Sequence, residues 1–408
     1  MKQNNRVLTW TVFVAALGYF VDIYDLLLFG IVRMPSLRAI GVPDENLMSA
    51  GIQLINAQMA GLLIGGIVWG IWADKRGRLS VLFSSILVYS LANIGNAFVT
   101  TTGAYAILRF LAGLGLAGEL GAAITLVSEL MSKEKRGIGT AVVASVGILG
   151  AVFASLIGDF FDWKTAYLVG GGMGLALLVL RIKLFESGLY QSVAQANDVP
   201  KGDFLMLFRS RTRFWKYLRC ILIGVPVWFV IGILVTFSPE LSRELGIEGV
   251  RASTAIMMCY LGLSFGDLAS GLMSQVLRNR RLVVAIFLCI MSVGILIYVN
   301  LPAVTSSIFY GLCLFLGLGA GYWAVFVTIG AEQFGTNLRG TVAITVPNFV
   351  RGALIPLTIA FEFLSKKFGW NLIPSAMAVG SVAVVIAFFA LWKMQETFGK
   401  DLDFFERH

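Results

Sequence analysis

The chain has 408 residues, of which 58% are hydrophobic and only 13% are charged, and it carries a formal net charge of +9. In soluble globular domains about a quarter of the residues are charged, so this composition excludes a protein whose main solvent is water. The basic excess lies mostly in one set of predicted loops, which indicates anionic lipid as the acidic partner and excludes nucleic acid.

Twelve stretches are long and apolar enough to cross a bilayer, whose hydrocarbon core of about 30 Å requires roughly 20 helical residues. They predict an all-α integral membrane protein with spans at 8–32, 48–72, 79–99, 104–131, 138–159, 165–184, 216–238, 252–275, 282–300, 305–331, 340–364 and 371–393. The longest polar stretch predicts three parts: an N-terminal six-helix bundle at 1–184, a cytoplasmic linker at 185–215, and a C-terminal six-helix bundle with a short tail at 216–408.

Basic residues are concentrated on one side of the predicted bilayer, for example at Lys75, Arg76 and Arg281, whereas the opposite loops hold few of them. By the positive-inside rule, we expect both termini to be cytoplasmic. The protein is therefore predicted to be a multi-pass protein of the cell membrane, which we expect to be a bacterial inner membrane.

The two halves of the chain share an internal repeat. Four residues recur 203 positions later, giving the pairs Gly118/Gly321, Glu129/Glu332, Arg136/Arg339 and Gly137/Gly340. A shared register at half the chain length indicates a duplication. It predicts two pseudo-symmetric bundles, in which spans 4 and 5 correspond to spans 10 and 11.

The loop after the second span, from Gly70 to Leu79, reads Gly-Ile-Trp-Ala-Asp-Lys-Arg-Gly-Arg-Leu. It resembles the loop signature of the major facilitator superfamily, with Leu79 where that signature has a basic residue. The resemblance and the charges predict a cytoplasmic gate made of Asp74, Arg78, Glu129, Arg136, Glu332 and Arg339. The alternative is a solvated charge run that only fixes topology. The second copy of the loop, at 271–282, lacks the aspartate.

The first span, with Gly18, Asp22, Tyr24 and Asp25, is similar to that of the metabolite:proton symporter group of this superfamily, the shikimate, dicarboxylate and proline-betaine type. The fourth span resembles the same group from Arg109 to Gly121. The end of the sixth span, from Arg181 to Gly188, also resembles it, with Gly188 where the group has proline. This resemblance implies a small-molecule substrate, mainly a carboxylate or zwitterion, that is carried together with protons.

Ionisable residues within a span are costly and usually face a partner or a wet cavity. Asp22 and Asp25 are three residues apart on one helix face, an arrangement that favours a proton on one of them. At 1.5 Å per residue, Asp25 and Arg109 lie roughly 10 and 8 Å from the expected outer ends of their spans. They are therefore predicted to form the proton-coupling pair, with Asp22 as a second acceptor; the alternative is a static ion pair. Glu119 is either a further proton site or the structural partner of a basic residue.

Arg351 is expected near mid-membrane, about 18 Å along its span from Arg339. Its planar fork suits a substrate carboxylate, and the alternative is a permanent pair with Asp267. The remaining predicted substrate-binding residues are Tyr24, Tyr322, Trp323 and Asn348. For the aromatic residues, packing or lipid contact is the competing interpretation. Tyr322 is chosen because it occupies the position of Glu119 in the repeat.

These features predict a secondary transporter, a monomer that carries out proton-coupled symport of a small organic carboxylate or zwitterion by alternating access. The alternatives are proton-antiport efflux of a drug or metabolite and a non-transporting membrane sensor. An enzyme is not expected, because the sequence has no phosphate-binding loop and no nucleophile elbow. His408 is the only histidine and the four cysteines show no CxxC spacing, so neither a metal nor a cofactor is predicted.

Overall fold

The computed structural model describes residues 5–76, 78–119, 121, 136–186 and 204–399. Within these ranges every regular element is a helix. The first half contains α1 Asn5–Ala39, a short 3₁₀ turn Asp44–Asn46, α2 Leu47–Arg76, α3 Arg78–Asn96, α4 Thr102–Leu116, α5 Arg136–Phe160 and α6 Trp163–Glu186.

The second half begins with a single turn at Met206–Arg209. It continues with α7 Arg211–Leu222, α8 Val225–Phe229, a π-helical segment Val230–Val235, α9 Ser238–Glu244, α10 Ala252–Leu277, α11 Arg280–Val299, α12 Ser306–Ala320, α13 Trp323–Glu332, α14 Thr336–Gly352, α15 Leu354–Lys367 and α16 Leu372–Trp392. Helix α7 thus starts inside the segment that was predicted to be a linker.

Nine helical stretches of the described chain are long and apolar enough to cross a bilayer. Three further apolar helices are shorter, at Ser80–Asn96, Thr102–Leu116 and Val146–Phe160. Each of the twelve predicted spans overlaps one of these twelve stretches, and the prediction of an all-α membrane fold is confirmed. Hydropathy locates the spans because lipid offers the backbone no hydrogen bonds, so each crossing must satisfy its own.

One predicted helix end is wrong. Helix α1 was expected to end at Val32 but continues to Ala39. Asp25 therefore lies about 21 Å from the end of α1, while Arg109 lies about 10 Å from the start of α4 at Thr102, at 1.5 Å per residue. Because α1 extends beyond the apolar run, distances measured from helix ends do not give the relative depths of these two side chains.

Several spans are interrupted rather than continuous. The seventh changes to π-helical pairing before Thr236, whose N–H donates to the carbonyl of Ile231. The tenth breaks at Gly321 and Tyr322, and the eleventh at Ala353. Helix α4 ends at Leu116. These interruptions leave backbone groups free for other partners, and broken helices are tolerated in membranes where neighbouring helices supply such partners.

Each half contains a close helix crossing of the same kind, in which a small residue allows two backbones to touch. In the first half, Gly61 of α2 lies against the backbone of Phe110 in α4. In the second half, Gly262 of α10 lies in the same way against the backbone of Leu314 in α12. A Cβ at either glycine would overlap the facing carbonyl oxygen. The repeat seen in the sequence is therefore also a repeat of packing.

The halves meet along α2, which packs on α14 and α15, and along α1 and α5, which pack on α10. We call the end of the bundle at which α1 ends and α2 begins the distal face. The opposite end, at which α2 ends and α3 begins, is the proximal face. The centre of the contact between the halves holds one of the buried charge pairs described next, Asp22 and Arg351.

Candidate functional site

Asp22 of α1 and Arg351 of α14 face each other across the contact between the halves. Their side chains are 0% and 1% exposed, and Nη2 of Arg351 lies 3.8 Å from Oδ2 of Asp22, which is too long for a hydrogen bond. Neither oxygen of Asp22 has a hydrogen-bond partner in the described part of the chain, nor do Nε and Nη1 of Arg351. The guanidinium also lies 5.9 Å from the ring centre of Trp228. The centre of the molecule thus contains a loosely paired guanidinium with unused donors.

Asp267 is not the partner of Arg351, so the alternative pairing expected from the sequence is wrong. Its Oδ1 accepts a hydrogen bond of 3.0 Å from the backbone N–H of Ala324. This contact lies in the first turn of α13, where a carboxylate is favoured by the exposed N–H groups of the helix end. The rotation of α10 about its axis directs Asp267 towards the break in the tenth span. Counting residues gives the height of Asp267 along the helix but not this rotation.

Asp25 and Arg109 lie near enough for their charges to interact, but the Asp25 carboxylate accepts no hydrogen bond from any described residue. Nη2 of Arg109 instead donates to Oε1 of Gln58. The guanidinium lies 5.1 Å from the ring centre of Phe29 and 6.0 Å from that of Tyr167. Both side chains are fully buried. Their role as a proton-coupling pair stays a prediction.

Glu119 forms a two-pronged ion pair with Arg181 of α6, inside the first half. Nη1 of Arg181 donates to Oε2 at 3.0 Å, and Nη2 donates to Oε1. Nη1 also donates to the carbonyl of Leu82 at 3.1 Å. Of the two roles considered for Glu119, this geometry fits the structural partner of a basic residue. Sequence reasoning treated Arg181 only as part of a motif and missed it as the partner.

Tyr24 and Tyr322 lie inside their own halves and not between them. The Tyr24 hydroxyl donates to the carbonyl of Ala166 at 2.8 Å, and the Tyr322 hydroxyl donates to the carbonyl of Ile223 at 2.7 Å. Both side chains are fully buried. Tyr322 and Glu119 both bond to a neighbouring helix of their own half, so the repeat register identified equivalent packing positions. Their predicted contact with substrate gains no support from this arrangement.

Asn348 of α14 connects the two halves near the end of α4. Its Nδ2 donates to the carbonyl of Ala117 at 2.9 Å and to the carbonyl of Ile344 at 2.9 Å. The first of these bonds crosses the contact between the halves. Trp323, the other predicted substrate residue, is nearly buried and its ring centre lies 5.0 Å from that of Phe326. Asn348 therefore lies at the contact between the halves, whereas Trp323 packs within the second half.

A small cavity of about 20 Å³ lies between the halves, beside Gln58 and Trp228. A volume of this size can hold about one water molecule. Its other lining residues are mostly apolar: Leu26, Leu27, Phe29, Gly30, Ile55, Met59, Ile231, Gly232, Thr236 and Leu354. This cavity is too small for an organic solute, so the halves would have to separate there to admit one.

The distal face is closed by a buried ion pair that the sequence did not predict. Arg33 follows the predicted end of the first span at residue 32, but it lies within α1 with its side chain 0% exposed. Its Nη2 lies 2.6 Å from Oε1 and 2.9 Å from Oε2 of Glu240 in α9. Its guanidinium also lies 4.5 Å from the ring centre of Phe237. The pair joins the first half to the second.

Other polar contacts join the halves at the same face. Ser253 donates to Oδ1 of Asp159 at 2.6 Å, and Ser49 donates to Oε1 of Glu362. Deeper along α2 and α15, the hydroxyl of Thr358 donates to Oδ1 of Asn56 at 2.8 Å. A chain of contacts thus seals the two halves from the distal face inward.

The sequence of residues 7–351 matches the family model of the Major Facilitator Superfamily. The chain belongs to the major facilitator superfamily. It is similar to the niacin transporter NiaP of Acinetobacter baylyi, with 25% identity over 86% of both chains. It is also similar to the sialic acid transporter NanX of Escherichia coli, with 25% identity over 96% of this chain and 94% of that one. A solved D-xylose–proton symporter has the same fold, with a TM-score of 0.70 and 17% identity over 96% of this chain and 99% of the symporter.

This membership confirms the resemblance seen in the sequence and makes the protein a membrane transporter and not an enzyme. Four of the six predicted gate residues belong to the first half. The described part of the structure does not include Glu129 or the side chains of Asp74, Arg78 and Arg136. In the second half, Nη2 of Arg280 lies 2.8 Å from Oε1 of Glu332.

The proximal face of this superfamily member has a carboxylate that the sequence analysis missed. Oε1 and Oε2 of Glu396, just after α16, accept hydrogen bonds of 3.1 and 3.0 Å from the backbone N–H groups of Arg280 and Arg281. Burial alone would raise the pKa of Glu396, but these and other backbone donors lower it below its ordinary value. Glu396 thus places a carboxylate at the start of α11, beside the second copy of the signature loop.

Proposed function

We propose that this transporter is a monomeric proton-coupled symporter that imports a small organic carboxylate, or a zwitterion with a carboxylate, across the bacterial inner membrane by alternating access. Both termini then lie in the cytoplasm, and the distal face is the outer one. The observation that carries the proposal is the position of Arg351, buried between the halves with donors that no described residue uses.

A buried guanidinium with unused N–H groups is costly unless a partner arrives. Its planar fork fits a carboxylate with two parallel hydrogen bonds. Trp228 borders both the guanidinium and the small cavity, so a solute whose carboxylate binds Arg351 would have an apolar wall beside it. The two relatives support the same substrate class, because niacin and sialic acid are both carboxylic acids.

Proton coupling is proposed from the two carboxylates of α1. Asp22 and Asp25 are both fully buried, and no described residue donates a hydrogen bond to either. Each lies near one arginine, Arg351 and Arg109 respectively. Relative motion of the halves would change these distances and so the affinity of the carboxylates for protons. The D-xylose–proton symporter supports such coupling through its shared fold only.

Alternating access is proposed to use the contacts at the two faces. The bonds of Arg33 and Ser253 to the opposite half keep the distal face closed in this conformation. At the proximal face, the proposed gate comprises the six residues predicted from the sequence: Asp74, Arg78, Glu129, Arg136, Glu332 and Arg339. Opening one set of contacts while the other is formed would expose the centre to one side at a time.

Uptake into proteoliposomes tests the proposal. The probes are benzoate and nicotinate, with benzamide and nicotinamide as neutral controls, and the pH gradient is imposed in each direction. We expect accumulation of a carboxylate, beyond that in protein-free liposomes, and not of its amide when the outside is acidic. This protein-dependent accumulation should fall at least about tenfold in Arg351→Lys because the fork geometry is lost. Arg38→Lys, at an exposed pair, is the matched control and should transport normally.

Two results would contradict this function. Extrusion of the carboxylate when the outside is acidic would indicate efflux by antiport. No movement of any probe, with either gradient and a protein shown to be folded, would favour a sensor or a different substrate class.

A further inference from the structure

We infer that Asp22 acts as an internal competitor of the substrate: its carboxylate occupies the Arg351 site in the empty transporter, and protonation of Asp22 frees Arg351 for the carboxylate of the solute. The inference rests on the proposed function and goes beyond it, because it assigns the coupling of proton and substrate to a single shared guanidinium. Asp25 and Arg109 are not needed for this step.

The ion pairs of the structure differ in a way that separates structural from exchangeable contacts. Arg181 binds Glu119 through both nitrogens of its fork. Arg33 approaches Glu240 to 2.6 Å. The Asp22–Arg351 pair is equally buried, yet its closest approach is 3.8 Å and its oxygens accept no hydrogen bond from the described residues. A carboxylate held only by a long ion pair can be replaced by another carboxylate that makes direct hydrogen bonds.

Charge balance requires a proton in this exchange. Among the described residues, the titratable and charged groups near Asp22 come from α3, α6, α10, α14, the segment after α4, and α1 itself. They are Arg351, Glu119 with its partner Arg181, Tyr89, Tyr260, Tyr19 and Asp25. Since Glu119 is neutralised by Arg181, Arg351 is the cation that balances Asp22. A bound monocarboxylate beside an ionised Asp22 would place two negative charges on one buried guanidinium, which is strongly unfavourable.

The proton balance of the step is simple. One proton from solution forms an O–H bond with the carboxylate of Asp22, the ion pair to Arg351 is lost, and the solute carboxylate forms a new ion pair with Arg351. The net charge of the site is unchanged. One proton therefore enters with each monocarboxylate, and both leave when the site opens on the other side.

Calorimetric binding of benzoate and nicotinate to purified protein tests the inference, in buffers of different ionisation heats and between pH 5 and pH 8. For the wild type we expect uptake of close to one proton per bound carboxylate, and a dissociation constant that rises about tenfold per pH unit once Asp22 is ionised, as linkage of one proton requires. In Asp22→Asn the competitor is gone. We expect binding that is independent of pH, at least about tenfold tighter than wild type at pH 8, and without proton uptake.

Asp44→Asn, which removes an exposed carboxylate at the distal face, is the control and should keep the pH dependence of the wild type. Asp22→Glu retains a competing carboxylate and should also keep it. Weaker binding with an unchanged pH slope in Asp22→Asn would overturn the inference while leaving the proposed function intact. If Asp22→Asn does not fold, wild-type binding without proton uptake would overturn it equally. Failure of the wild type to bind any carboxylate would overturn the proposed function itself, and this inference with it.

Discussion

Removing the carboxylate of Glu240 tests whether the buried ion pair with Arg33 closes the distal face. In Glu240→Gln the guanidinium of Arg33, fully buried in the closed form, loses its counter-charge. Breaking a buried pair by removing one partner costs about 3–5 kcal/mol. Much of this penalty disappears when the halves separate and water reaches Arg33. At about 1.4 kcal/mol per tenfold, the equilibrium should move towards a distally open state by a factor on the order of 10² or more.

A cysteine at Thr236, which lines the small cavity, can report this opening. The four native cysteines, Cys220, Cys259, Cys289 and Cys313, are first replaced by serine. The rate of reaction with a charged, membrane-impermeant thiol reagent is then compared with and without Glu240→Gln, and we expect an increase of roughly the same 10²-fold.

The exposed pair of Arg38 and Asp44 is the matched control. Its atoms approach to 2.7 Å, but the side chains are 53% and 74% exposed, and such pairs are worth about 0–1 kcal/mol. Asp44→Asn should therefore leave the labelling rate nearly unchanged. A variant in which the two charges are exchanged, Arg33→Glu with Glu240→Arg, should label slowly again. Equal rates in Glu240→Gln and Asp44→Asn would refute the argument that burial makes the Arg33 pair a gate.

Three further predictions concern the interior and the proximal face. Glu119→Gln should lower the free energy of unfolding in detergent by about 3–5 kcal/mol because it leaves Arg181 buried without its counter-charge. The control Tyr322→Phe removes one neutral hydrogen bond and should lower it by only about 1 kcal/mol. Similar losses in the two variants would argue against a structural ion pair. Asp25→Asn tests whether Asp25 carries a second proton in addition to the one on Asp22: loss of accumulation driven by a pH gradient with intact substrate exchange would show that it does, and continued accumulation would exclude Asp25 as a proton carrier. Glu396→Gln should reduce thermal stability at pH 7. Because the folded protein lowers the pKa of Glu396 below 4.5, this deficit should shrink as the pH falls through that lowered value, and a constant deficit would contradict the role of its charge.

At the central site, the residue pattern predicts which charges are buried but not which of them are partners. The sequence identified Asp22 and Arg351 as costly charges that need partners, because the energetic argument depends only on their presence within spans. It did not identify them as each other's partner. The height of a residue along a span follows from counting, but the rotation of the helix decides which neighbour it faces. That rotation is set by packing between segments far apart in sequence.

Helix ends and breaks show the same limit. The apolar run ends near Val32, yet α1 continues to Ala39, and Arg33 within this extension has a buried partner on the other half. The break at Gly321 and Tyr322 is accompanied by the carboxylate of Asp267 from a neighbouring helix. Neither partner is close in sequence, so local propensity gives no sign of them.

The sequence by itself determined the number of spans, the duplicated halves, the superfamily and the set of charges that require an explanation. These properties depend on consecutive residues, because hydrocarbon thickness sets the length of each span and each backbone group needs a partner within its own helix. They can therefore be predicted from the composition of each segment and from the spacing at which motifs recur. The tertiary structure alone decided which charges meet. It paired Asp22 with Arg351, Arg33 with Glu240 and Glu119 with Arg181, and it brought Glu396 to the loop that lacks an aspartate. Each of these contacts joins residues at least 62 positions apart, and an ion pair over such a separation exists only once the intervening helices have packed.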